Sequence, residues 1–155
     1  MSTSIAIKGQ SAEAQYADNS RYIASQHFQK SATFGRQSAY DELFQVWTEC
    51  KKANWDGNEA LPVLRRTYDN TFRFLQSLPF GCELPSIGVE PDGELTLEWY
   101  RNSKWVLSVS IGSTGILNYA ALFGHSNSRG SAEFLNDVPD ILMTLIKKVM
   151  LHARS

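Results

Sequence analysis

Between Ile87 and Phe123 apolar and polar positions alternate with a period of two, while the stretches before and after it repeat at helical intervals. Upstream, Ser38-Ala39-Tyr40-Asp41 has the spacing of a capping box, and Tyr40, Leu43, Phe44, Trp47 and Cys50 follow on one helical face. This predicts a first helix over residues 38 to about 53. Trp55-Asp56-Gly57-Asn58 breaks the pattern with a turn, and a second helix is expected from Pro62, whose missing N–H suits a first helical turn. Its expected buried stripe is Leu64, Tyr68, Thr71, Leu75 and Leu78, ended by Pro79 and Gly81.

Ile87 and Val89 then form a short strand leading into the turn Pro91-Asp92-Gly93. Leu95, Leu97 and Trp99 alternate with Thr96, Glu98 and Tyr100; after a turn at residues 101–104, Trp105, Leu107, Val109 and Ile111 alternate with Val106, Ser108 and Ser110. Gly112-Ser113-Thr114-Gly115 turns the chain into a fourth strand, Ile116–Phe123. Connections this short join only antiparallel neighbours, so the expected sheet is a four-stranded meander. One face is apolar and awaits helices; the other carries Thr96, Glu98, Tyr100, Ser108 and Ser110 and faces water or a partner. Residues 124–130 read as a polar loop. A last helix is signalled by Asp137 as N-cap and Pro139, with Ile141, Leu142, Leu145, Ile146, Val149 and Met150 as its apolar stripe, central on the sheet. The expected class is α+β, in the order α-α-β-β-β-β-α, over a single domain of residues 38–155. Residues 1–37, rich in Ser, Ala, Gln and Asn but holding Tyr16, Tyr22, Ile23, Phe28 and Phe34, read as a polar arm, flexible or ordered on a partner. A short strand near residues 4–8 is the structural alternative.

A length of 155 residues fits one domain. With 43% apolar residues, 12% aromatic residues and a net charge of -1, the chain is neither wholly disordered nor built around a polyanion, so nucleic acid is not an expected partner. The pairs Lys51-Lys52, Arg65-Arg66 and Lys147-Lys148 read as solvated helix faces. Cys50 and Cys82 are far apart and lack a Cys-x-x-Cys companion, which argues against a disulfide framework. No secretory signal pattern and no run of about eighteen apolar residues is present, so the expected setting is the cytosol, away from membranes.

Three segments hold candidate chemistry. At the helix junction, Asp56 and Glu59 stand beside Trp55; they could bind a cation or act as acid and base, but a turn carboxylate and a helix-start carboxylate explain them structurally. In the hairpin, Asp92 and Glu94 flank the turn without the Asp-x-Asp-x-Asp-Gly spacing of a calcium loop, whereas Glu98 sits on the polar face near the hydroxyls of Ser108, Ser110 and Tyr100. In residues 124–130, His125 offers a general base and Arg129 an anion ligand, yet no Gly-x-Ser-x-Gly precedes them and no second histidine stands at metal spacing; His27 and His152 complete no site. Gly-x-Gly-x-x-Gly and Gly-x-x-x-x-Gly-Lys are both missing, and no cofactor or metal is expected.

Residues 55 to about 149 resemble a group of small bacterial proteins that pair a Trp-Asp-Gly turn and downstream proline (Trp55, Asp56, Gly57, Pro62) with a Leu-Pro helix end (Leu78, Pro79) and a Pro-Asp-Gly hairpin leading to Glu-Trp (Pro91, Asp92, Gly93, Glu98, Trp99), then a strand ending near Tyr119 and Gly124. The resemblance covers about three-fifths of the chain and implies a bacterial origin. That group has no established activity, so no catalytic residue is carried over.

The sequence therefore points to a non-enzymatic module that binds another protein, as antitoxins, immunity proteins and inhibitors do, with Thr96, Glu98, Tyr100, Ser108, Ser110, Trp55 and Asp56 as binding candidates. The rivals are a small hydrolase or nuclease using Glu98, His125 and Arg129, and a structural homo-oligomer.

Overall fold

A computed structural model describes residues 31–151. Helix α1 spans Ser31–Cys50 and α2 spans Arg65–Ser77; five antiparallel strands follow, β1 Ser86–Val89, β2 Leu95–Asn102, β3 Trp105–Ile111, β4 Ile116–Phe123 and β5 Ser126–Glu133, before α3 at Asp140–Leu151. The sheet order is β1-β2-β3-β4-β5, a meander with one strand more than the four expected.

The extra strand is the main correction to the sequence expectation. Residues 124–130 do not form a polar loop: only Gly124 and His125 turn, and Ser126 already pairs with Phe123. Gly124 has φ +74 and His125 does not share a positive φ, the combination a type II′ hairpin turn requires. Ser-Asn-Ser-Arg-Gly-Ser-Ala-Glu has neither alternation nor high strand propensity, and β5 buries no side chain fully. It is held by its backbone ladder to β4 and by Tyr119, whose ring covers Gly130 so closely that an added Cβ would stand 2.7 Å from the hydroxyl oxygen.

Helix α1 also begins earlier than the capping-box spacing at Ser38 suggested. Residues 31–37, expected in the arm, form its first two turns, and the rest of the expected arm, with its alternative strand near residues 4–8, lies outside the described residues. The cause is tertiary. The Arg36 guanidinium donates from Nη1 to the Leu75 carbonyl at 2.8 Å and from Nη2 to the Leu78 carbonyl at 2.9 Å, placing a cation on the C-terminal carbonyls of α2. Two ring stacks join the helices further along, Tyr40 on Phe72 at 4.6 Å and Trp47 on Tyr68 at 4.9 Å between centroids.

Helix α2 starts three residues after Pro62; of its expected stripe Thr71, Leu75 and Leu78 are buried and Leu64 is exposed, while Thr67, Asn70 and Phe74 are buried beside them. Helix α3 starts at Asp140 rather than after an Asp137 cap, with the Pro139 carbonyl accepting from the Leu142 and Met143 amides. It packs on β2, β3 and β4, burying Leu142, Leu145, Ile146, Val149 and Met150, while Ile141 is left largely exposed. The strands meet these helices with Leu95, Leu97, Trp99, Leu107, Val109, Ile111 and Leu117, all fully buried, in one continuous core. Trp99 sits at its centre against Phe74, and its indole N–H donates to the Glu83 carbonyl at 2.8 Å. No described helix is long and apolar enough to cross a membrane.

Candidate functional site: the open face of the sheet

Because side chains alternate along each strand, burying the odd-numbered positions of β2, β3 and β4 under the helices turns the even-numbered ones to the opposite face. On that face β1 is buried, Ser86 being 5% exposed, the β2 and β3 positions are half-buried and those of β4 are exposed. The register aligns the face into rows that run across the strands. One row is Gly88, Thr96, Ser110, Asn118 and Ser131; the next is Ser86, Glu98, Ser108, Ala120 and Arg129; a third is Tyr100, Val106, Leu122 and Asn127. The first row is made of small polar groups, with Ser131 Oγ donating to Asn118 Oδ1 at 2.6 Å. In the third, apolar residues dominate, and Leu122 is 43% exposed.

An acidic corner closes the polar end. The Thr96 hydroxyl donates to Glu90 Oε2 at 2.7 Å, and the Glu94 side chain lies across Gly112, where an added Cβ would stand 2.9 Å from Oε2. Burial pushes the Glu94 carboxyl above the ordinary carboxylate range, and the neighbouring charges of Asp92 and Glu90 push it the same way. Asp92 itself is used locally, its Oδ1 accepting from the Glu94 amide at 2.9 Å within the turn.

The five strand residues expected on the polar face, Thr96, Glu98, Tyr100, Ser108 and Ser110, do share it, each half-buried. Trp55 and Asp56 do not join them. They belong to the connector between α1 and α2, where Trp55 Nε1 donates to the Leu61 carbonyl at 2.7 Å and Asp56 Oδ1 accepts from the amides of Asn58 at 2.7 Å and Ala60 at 3.1 Å. These bonds hold a tight loop that takes Asn54 and Glu59 to positive φ.

Glu98, His125 and Arg129 are not gathered into one site. Glu98 and Arg129 share a row but stand three strands apart, about 14 Å at about 4.8 Å per strand. His125 is exposed at the β4–β5 turn, off the end of that row. A shallow, open depression lined by Thr144, Lys147, Lys148 and Leu151 lies on α3, on the helix side of the sheet. Among the described residues no group of three or more His, Cys, Asp or Glu is placed to hold a metal ion. Cys50 and Cys82 are free thiols, both pushed up by burial, Cys50 to about 11, so thiolate chemistry is suppressed at each.

Sequence reasoning missed the β4 and β5 contribution to the face: Asn118, Ala120, Leu122, Asn127 and Ser131, with Arg129 as a face residue rather than a loop residue. The alternation in β4 carries the signal for the first three. For β5 no signal was present. Comparison with known proteins finds no family model, no curated protein and no solved structure that matches the chain.

Proposed function

We infer that the protein is a binding module without chemistry of its own, which presents the open face of its sheet to another protein in the manner of an antitoxin, immunity protein or inhibitor. The observation that carries this is the segregation of the two faces. Three helices pack on one side, while the other carries three register rows graded from hydroxyl and amide groups to Tyr100, Val106 and Leu122. An apolar row with polar rows beside it offers both buried area and hydrogen-bonding groups to a protein partner, and a rigid sheet loses little entropy when it is covered. The separation of Glu98 and Arg129 across the face, with His125 in the β4–β5 turn, suits recognition better than a shared reaction centre.

The test is affinity capture from native cells with the full chain as bait, beside the variant Ser108→Arg with Ala120→Arg, which places two long cations in the middle row. A protein recovered in stoichiometric amount by the wild type and lost by the folded variant supports the module. Equal recovery by both baits refutes the face, and turnover of a substrate by a purified chain that captures nothing refutes the class.

A further inference from the structure

The two rims of the sheet are finished differently. At β1 the Ile87 amide points away from β2 and donates to Glu42 Oε2 of α1 at 3.3 Å, so a helix side chain closes that rim. Among the described residues β5 has no such guard. Its ladder with β4 runs unbroken from Phe123 opposite Ser126 to Ile116 opposite Glu133, and the Phe134 amide continues it to the Gly115 carbonyl at 3.0 Å. That last bond sets the parity. Ser126, Ser128, Gly130 and Ala132 turn their backbone groups toward β4, and Asn127, Arg129, Ser131 and Glu133 turn theirs outward. This rim has no proline, no lysine and no bulge, three of the devices that ordinarily keep an exposed strand from pairing, and its two charges, Arg129 and Glu133, are opposite in sign.

We propose that β5 pairs with β5 of a second copy, antiparallel about a twofold axis at Ser131, joining two sheets into one continuous sheet. The charge pattern selects this register. With Ser131 facing Ser131 of the partner subunit, Arg129 stands opposite Glu133 of the partner subunit, and Glu133 opposite Arg129 of the partner subunit; both pairs lie on the open face, at the distance where opposite charges on neighbouring strands attract. A twofold centred on Arg129 or on Glu133 sets like charges face to face instead. Self-pairing of one patch is what a twofold dimer requires, and it doubles the open face into a single surface. A contact made by one strand edge is small, so the dimer is concentration-dependent. The proposal does not rest on the binding function above, because it is read on the purified chain alone.

The experiment is light scattering on the full chain over a concentration series, with Arg129→Glu, Glu133→Arg and their equimolar mixture. The wild type is expected to reach twice the 17.4 kDa chain mass. Each variant alone is expected to stay at the single-chain mass, since both cross-strand pairs become like-charged, whereas the mixture is expected to double in mass because every pair is again opposite in sign. A wild-type chain that stays monomeric across the series, its rim left to residues 1–30 or to a different protein, overturns the proposal. So do variants that dimerise alone as well as the wild type, or a mixture that fails to recover the dimer while its components keep native circular dichroism.

Discussion

Replacing Glu42 by Gln tests whether the carboxylate that guards β1 is held at an electrostatic cost. Glu42 is half-buried on α1 with its carboxyl turned toward the Ile87 amide, and burial pushes its pKa from 4.5 up to about 7, the amide hydrogen bond opposing the rise. The folded chain thus holds this proton more tightly than the unfolded chain. The stabilisation is complete below pH 4.5 and is lost as the pH climbs through about 7. At about 1.4 kcal/mol per pH unit, the interval between 4.5 and about 7 corresponds to about 3 kcal/mol. Gln keeps an acceptor oxygen for Ile87 and removes the charge. Urea denaturation of both chains at one fixed protein concentration, from about pH 4.5 to about pH 8, should show near-equal stability at the acid end and a growing advantage for Glu42→Gln at the alkaline end, approaching about 3 kcal/mol. A stability difference that does not change with pH, or a variant weaker than wild type at about pH 8, refutes the reasoning.

Three further outcomes follow from the packing. Gly93 has φ +90, and a Cβ there would stand 2.7 Å from the Pro62 carbonyl oxygen; Gly93→Ala should cost about 1–3 kcal/mol in thermal unfolding. Gly88→Ala, whose Cβ meets nothing within 4 Å among the described residues, should be neutral or slightly stabilising. Asn70 is buried with Nδ2 donating to the Gly112 carbonyl at 2.9 Å and Oδ1 accepting from Arg73 at 2.8 Å, so Asn70→Leu, measured by chemical denaturation, should lose about 1–3 kcal/mol by stranding the carbonyl.

Periodicity alone was enough to read the antiparallel meander from Ile87 to Phe123, most of the helical stripes around it, with Phe44, Leu64 and Ile141 the exposed exceptions, and the five polar-face residues of β2 and β3, because alternation reports which side of an element is buried and a short turn permits only antiparallel pairing. Some features carried no such mark. The first turns of α1 depend on Arg36 reaching carbonyls about forty residues away in sequence, and β5 exists through backbone pairing with β4 and a tyrosine ring laid over a glycine, neither of which needs an apolar side chain of its own. The register that lines Glu98 up with Arg129, and the enclosure that raises Glu42, are likewise set by which strands and helices become neighbours. Burial of one face is a local property of the chain, whereas what meets that face, and which rim a helix side chain closes, is decided only when distant segments come together.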